Sequence, residues 1–258
     1  MLLTDIISKS CVLTQDELIA DVTLLRDIQT RLVAWGMYPE KKVDGLWGRL
    51  TEGAIINFCN RVHLNSYSKK MYGASFAQAL LDKPSELITT AQATAIFGRM
   101  PTPEQMADLN RCLVRFEINT PVRLRHFTSQ IAVESGNLKW MKELASGEAY
   151  EGRRDLGNTQ PGWGKLYKGA GAIQLTGFYN YKAFSKFIGD PKVIELGCDY
   201  VARVFPFTSA AFFWHRSALN AKCDRGASVE QITRIVNGGQ TGIVERKRYY
   251  AIACKVIS

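Results

Sequence analysis

Histidine is scarce in this chain: only His63, His126 and His215 occur, and they are isolated from one another. Nothing around them has metal-ligand spacing, so all three read as structural. Six cysteines are present, Cys11, Cys59, Cys112, Cys198, Cys223 and Cys254, with no Cys-x-x-Cys pair among them. That speaks against a zinc site and against a disulfide framework, and buried reduced thiols suited to a reducing cytoplasm are expected. No apolar run is long enough to span a bilayer, and Met1-Leu2-Leu3-Thr4-Asp5 lacks the basic n-region of a secretory signal. There is no block of five like charges, so a nucleic-acid-binding tail is not indicated. Repeats and low-complexity segments are absent, and strand signals are weak and few. The Gly-x-Gly at 169–171 lacks the Lys-Ser/Thr that would make it a phosphate cradle.

What is present fits a helical protein with an interior large enough to fold without staples. The 258 residues are 46% hydrophobic and 22% charged, and they allow one large domain or two smaller ones. The net charge of +9 favours an anionic partner such as bacterial cell wall, anionic lipid or nucleic acid, although a solvated basic surface would give the same count. Leu24, Leu25, Ile28, Leu32 and Val33 recur at helical spacing, Gly36 is placed to end that helix, and Asp44-Gly45 marks a turn. Thr51 is a plausible cap for a second helix carrying Ala54, Ile55 and Phe58. Residues 66–87 read as a linker. Thr120 as cap with Pro121 at the first helical position predicts a helix, and Leu124, Phe127, Ile131 and Glu134 then follow at steps of three or four. Further helical patterns cover 180–190, 200–218 and 228–236.

Two carboxylates invite a chemical reading. Glu134 falls on the apolar stripe of its helix near the negative end of the helix dipole, where the protonated form is favoured. Such an acid can donate a proton to a leaving oxygen. A partly exposed glutamate at a helix end is the plainer alternative. Glu151, seventeen positions further on, sits in a polar stretch with Arg153 and Arg154, which would favour a carboxylate able to activate water. A surface ion pair is the alternative there, and spacing alone does not exclude Glu143 or Glu148. Trp140, Tyr150, Trp163 and Tyr167 could stack on sugar faces or simply pack.

The segment with Ile28-Gln29, Leu32, Trp35-Gly36, Asp44-Gly45-Leu46-Trp47-Gly48, Thr51, Ala54-Ile55 and Phe58 resembles the peptidoglycan-binding module of cell-wall hydrolases. Residues 88–258 resemble the catalytic domain of glycoside hydrolase family 19, as found in bacterial chitinase-like proteins and phage endolysins. That resemblance rests on Gln130-Ile131-Ala132, Glu134-Ser135-Gly136, Tyr150-Glu151-Gly152-Arg153, Asp155-Leu156-Gly157-Asn158-Thr159, Ile173-Gln174-Leu175-Thr176-Gly177, Tyr179-Asn180-Tyr181, Asn237-Gly238-Gly239 and Glu245-Arg246. It implies a mostly α, lysozyme-like fold and inversion at the anomeric carbon. Glu134 then matches the general acid and Glu151 the general base, about 6.5–9.5 Å apart in an inverting pair. Thr176 matches the residue that helps hold water, Gln174, Tyr179, Asn180 and Asn237 match the sugar cleft, and Arg246 matches a basic residue near the active site. The chain departs from the pattern at Val133, where histidine is usual, at Ala170, where arginine is usual, and at Trp163, where aspartate is common.

The resulting expectation is an endolysin with a peptidoglycan-binding module at 1–65, a linker at 66–87 and a hydrolase domain at 88–258. It would act as a monomer on the β-1,4 bonds of bacterial peptidoglycan, without cofactor, metal, nucleic acid or membrane span. It would be made in a host cytoplasm and reach the wall after release. A chitinase on the same fold and a lytic transglycosylase are the enzymatic alternatives; a wall-binding protein with a decayed site is the non-enzymatic one.

Overall fold

The computed structural model describes residues 1–82 and 86–257, and the chain divides into two units, 1–85 and 86–258. The first contains α1 (Leu3–Ser8), β1 (Leu13–Thr14), α2 (Gln15–Ala20), α3 (Val22–Ala34), α4 (Arg49–Arg61), α5 (Ser66–Lys69), β2 (Met71–Tyr72) and α6 (Ala74–Leu81). Leu24, Leu25, Ile28 and Leu32 of α3 are all fully buried, and Gly36 follows the helix end at φ +70°. Beside them lies Gln29, also fully buried. Its Oε1 accepts from the backbone N–H of Asp44 (3.0 Å) and Gly45 (2.7 Å). Its Nε2 lies 3.0 Å from Leu46 O and from Thr51 Oγ1. A buried amide must find partners on the protein, and this one ties the Asp44-Gly45 turn to α3 and α4.

Two expectations are corrected in this unit. Thr51 is not a cap: α4 begins at Arg49 behind Gly48, and the buried Thr51 hydroxyl donates to Leu46 O (3.0 Å) beside Gln29. The hydroxyl serves a buried polar cluster, which local spacing does not reveal. Nor is 66–82 a linker. Tyr72 pairs with Leu13 in the two-stranded antiparallel sheet, and Tyr72, Phe76, Ala77 and Leu80 join the core with Phe58. These elements are two to eight residues long, too short for periodicity to register. Residues 83–85 of the same stretch lie outside the described residues.

The second unit holds α7 (Thr90–Phe97), α8 (Pro103–Arg115), α9 (Pro121–Glu134), α10 (Trp163–Leu166), α11 (Phe178–Ile188), α12 (Lys192–Val204), α13 (Thr208–Arg216), α14 (Leu219–Asp224), α15 (Val229–Asn237) and α16 (Ile243–Val256). Thr120 caps α9 by accepting from Arg123 N (3.4 Å), with Pro121 in the first turn. Leu124, Phe127 and Ile131 are buried, and the Phe127 ring meets Trp214 edge-on at 5.3 Å. Buried Asp108 of α8 accepts from Phe207 N (2.7 Å) and Thr208 N (3.0 Å), fastening the start of α13. Between α9 and α11 the chain is mostly irregular, with 3-10 turns at Glu148–Tyr150 and Arg154–Leu156. Isolated bridges there join Ala170 to Lys142 and to Leu175. All six cysteines are free; Cys254 is exposed and Cys11 half-buried, contrary to the expected burial, while the other four are buried. Among the described residues no helix is long and apolar enough to cross a membrane.

Candidate active site

Glu134 is the last residue of α9. The helix stops there because Ser135 turns its hydroxyl back to Ile131 O (2.6 Å) and takes Leu138 N (2.9 Å), while Gly136 adopts φ +54°. The Glu134 side chain remains 18% exposed. It is not an isolated acid on an apolar stripe. Oε1 accepts from Arg246 Nη2 at 2.5 Å, and Arg246, on α16, is 1% exposed. Arg246 Nη1 also donates to Gln130 Oε1 (2.5 Å) and Nε to Thr241 O (3.3 Å). Gln130 Nε2 in turn donates to Thr233 Oγ1 (3.2 Å). A relay of buried polar groups from α15 through α9 to α16 therefore fixes one oxygen of Glu134. Arg246 is a clamp behind the acid rather than a residue of the cleft surface. Periodicity suggested the apolar face and missed the clamp, because the partner lies 112 positions away.

Glu151 follows the Glu148–Tyr150 turn and is exposed. Its partners are backbone groups, not the arginines beside it in sequence. Oε1 accepts from Gly162 N (2.6 Å) and Oε2 from Gly164 N (2.7 Å) at the start of α10. Arg153 is occupied by Asp155 instead (Nε–Oδ1 2.7 Å). Two N–H donors, one per oxygen, hold the carboxylate in a fixed plane. Glycine at 164 is required by the approach: an added Cβ would lie 2.6 Å from both Glu151 N and Gly147 O and 2.7 Å from Glu151 Oε2.

The segment between the two glutamates is pinned to the glycine-rich stretch. Gly171 N donates to Met141 O (2.8 Å), and Glu143 N donates to Gly169 O (2.9 Å). Glu143, a rival on spacing, accepts Tyr150 Oη (3.1 Å) and Gly169 N (3.0 Å), so its oxygens brace this junction. Glu148 is exposed on the 3-10 turn. Buried Asn158 gives Nδ2 to Tyr150 O (2.9 Å) and takes Phe178 N (2.9 Å), clipping the residue before Glu151 to α11. Sequence reasoning gave Asn158 no role. Ala170 is fully buried, and its amide and carbonyl both pair with Leu175 (3.1 and 2.7 Å). The guanidinium at Glu134 thus comes from α16, not from position 170.

Gln174, Thr176 and Asn180 line one cavity of about 470 Å³, with Leu156, Phe212 and Arg216. Thr176 Oγ1 donates to Gln174 O (2.8 Å), and Asn180 Nδ2 to Thr176 O (2.9 Å). Gln174 has φ +52°, and its Nε2 reaches Gly171 O (2.9 Å). Tyr179 is 57% exposed, its ring over Gly157, where an added Cβ would approach to 2.6 Å. Asn237, exposed at the end of α15, precedes the loop that sets Gly242 against Val133, next to the acid. Of the aromatic candidates, Tyr167 is buried and Trp163 packs on Phe178 at 4.2 Å, while Trp140 is 38% exposed. Among the described residues no group of three or more His, Cys, Asp and Glu could hold a metal ion.

Comparison with known proteins matches this picture. Over 114 residues the chain is 35% identical to a glycosyl hydrolase family 19 domain-containing protein of Haemophilus influenzae, covering 42% of this chain and 51% of that protein. Over 135 residues it is 33% identical to an endochitinase of Arabidopsis thaliana, covering 49% of this chain and 45% of the plant protein. The chain thus spans about half the length of the curated relatives it matches. No family model matches. Among solved structures, chitinase C from Streptomyces griseus superposes with a TM-score of 0.55 at 17% identity, over 67% of this chain and 93% of that one. A glutamate-to-glutamine mutant of chitinase C gives 0.56 at 16% identity, over 68% and 78%. The mostly helical fold is therefore the lysozyme-like fold of the family 19 chitinases. The chain is thus similar, over about half the length of each, to a glycosyl hydrolase family 19 domain-containing protein and a plant endochitinase, and it shares its fold with chitinase C.

Proposed function

We propose that the second unit hydrolyses β-1,4 bonds between amino sugars by inversion, with Glu134 as general acid and Glu151 as general base. The observation that carries this reading is the contrast between two held carboxylates. Glu134 is held through Oε1 alone, by a guanidinium, and Glu151 through both oxygens, by backbone N–H groups. Glu134 would give a proton from Oε2 to the glycosidic oxygen as the bond to the anomeric carbon breaks. The negative charge left on Glu134 forms beside Arg246, where it is stabilised as it develops. Glu151 would take a proton from water as the water oxygen bonds to the opposite face of that carbon. Thr176, Gln174 and Asn180 supply hydroxyl and amide groups along one cavity, which neither glutamate lines, Tyr179 an exposed ring, and Asn237 an amide at the end of α15.

The substrate in this reading is bacterial peptidoglycan and the role that of a phage-type endolysin, acting on the wall after release from the cytoplasm where it is made. The first unit would hold the wall, and exposed Leu46 and Leu50 flank the turn fastened by Gln29. The net charge of +9 suits an anionic wall. Chitin is the second reading, favoured by the endochitinase and chitinase names of the relatives. Zymography on purified peptidoglycan and on chitin, followed by mass spectrometry of the products, separates them. Hydrated reducing ends from peptidoglycan are expected; anhydro-sugar ends would point to a lytic transglycosylase, and turnover of chitin alone to a chitinase.

A further inference from the structure

A second cavity, of about 460 Å³, lies beside the loop that holds Glu151, and its walls carry unusual charge. Lys142, Lys165 and Lys168 line it together with Gly162, Trp163, Leu166, Cys198 and Asp199. Gly162 is shared: it borders the cavity and donates its N–H to Glu151. We propose that this cavity is a subsite for a carboxylate of the peptide attached to the sugar strand, which rests on the peptidoglycan reading above.

Three ammonium groups converge there against one carboxylate. That carboxylate, Asp199, is committed to Lys142 (Oδ1–Nζ 2.5 Å). Among the described residues neither Lys165 nor Lys168 makes an ion pair, and Lys168 Nζ donates only to Ala145 O (2.6 Å). Asp199 reports the local field: the hydrogen bond from Lys142, joined by the charges of Lys142, Lys168 and Lys165, holds its carboxyl below the usual range against burial, which acts the other way. A second carboxylate entering the cavity meets the same field with Lys165 and Lys168 still unneutralised. Chitin offers neutral hydroxyl and N-acetyl groups and gives these lysines no counterpart. A wall peptide carries several carboxylates and aliphatic segments, the latter suited to Trp163 and Leu166.

The test joins binding and turnover. The synthetic tetrapeptide alanyl-isoglutamyl-diaminopimelyl-alanine, and the same peptide fully amidated, are titrated into the full-length protein by calorimetry. The free-acid peptide is expected to bind, the Lys165→Gln/Lys168→Gln variant to bind at least about 10-fold more weakly, Lys165→Arg/Lys168→Arg to retain binding, and the amidated peptide to bind to none. Equal binding of acid and amide, or none of either, overturns the subsite. Turnover is then compared on intact peptidoglycan and on strands stripped of peptide by an amidase, which keep the lactyl carboxylate. The glutamine variant should lose about 10-fold in kcat/KM on the first and little on the second; equal loss on both assigns the lysines to the lactyl group and overturns the peptide assignment. Peptide binding without turnover of either polymer leaves the subsite standing and overturns the hydrolase reading.

Discussion

Arg246 is the residue whose removal says most about the acid. Its guanidinium bridges Gln130 and Glu134 from a buried position, which a flexible single ammonium cannot reproduce. Arg246→Met should cost about 3 kcal/mol in chemical denaturation, the low end for breaking a buried pair, because Glu134 stays partly hydrated. Arg246→Lys should keep the fold and lower kcat more than KM; an unchanged kcat would show that the clamp is dispensable. His126, on α9 with Glu134, makes a separate prediction. Burial, opposed by a hydrogen bond to the Ala227 backbone, pushes its pKa from 6.5 down to about 4. The folded state therefore refuses a proton that the unfolded chain accepts below pH 6.5. Stability is complete above that pH and is lost as pH falls toward 4. Between pH 7 and 5 the midpoint of urea unfolding should decline, and His126→Leu should flatten that decline. At this scale the sequence exposed residue types well and partners poorly. Glu134 and Glu151 stood out, but the Arg246 clamp and the backbone donors to Glu151 come from residues 112 and 11–13 positions away, beyond any local pattern.

At the scale of elements, α3, α9, α11 and α15 were legible, whereas α8 and α16, just as long, and the short elements were not. Thr120-Pro121 and the Leu124, Phe127, Ile131 stripe gave α9 its start and buried face, because cap and periodicity act within one segment. The first unit's α5, β2 and α6 were read as linker, because each gains its order from Phe58, Leu13 and other distant neighbours. The loop from Gly147 to Gly164 is the least regular element and the one on which Glu151 depends. Gly164→Ala would drive a methyl into Glu151 N and Gly147 O, shifting the N–H that holds Oε2. The expected result is a stability loss of about 1–3 kcal/mol and a fall in kcat of at least about 10-fold. A variant that folds with parental kcat would dissociate Glu151 from the chemistry.

On the scale of the whole molecule, charge and modularity make the prediction. On the peptidoglycan reading, a protein of net charge +9 should lose turnover of that anionic polymer as NaCl rises from 0.05 to 0.5 M, since the Debye length shrinks from about 14 to about 4 Å. Turnover of a neutral chito-oligosaccharide, if it occurs, should be far less sensitive. Parallel decline on both polymers would place the salt effect in folding rather than attraction.

The most direct test of the acid–base pair follows product anomers by proton NMR during cleavage by the parent protein, Glu134→Gln and Glu151→Gln. The pair predicts α-anomers from a β-linked strand, and a loss of about 10²–10⁴-fold in rate in each variant with the fold intact by circular dichroism. β-Anomers from the parent, or parental rates in either folded variant, would contradict it.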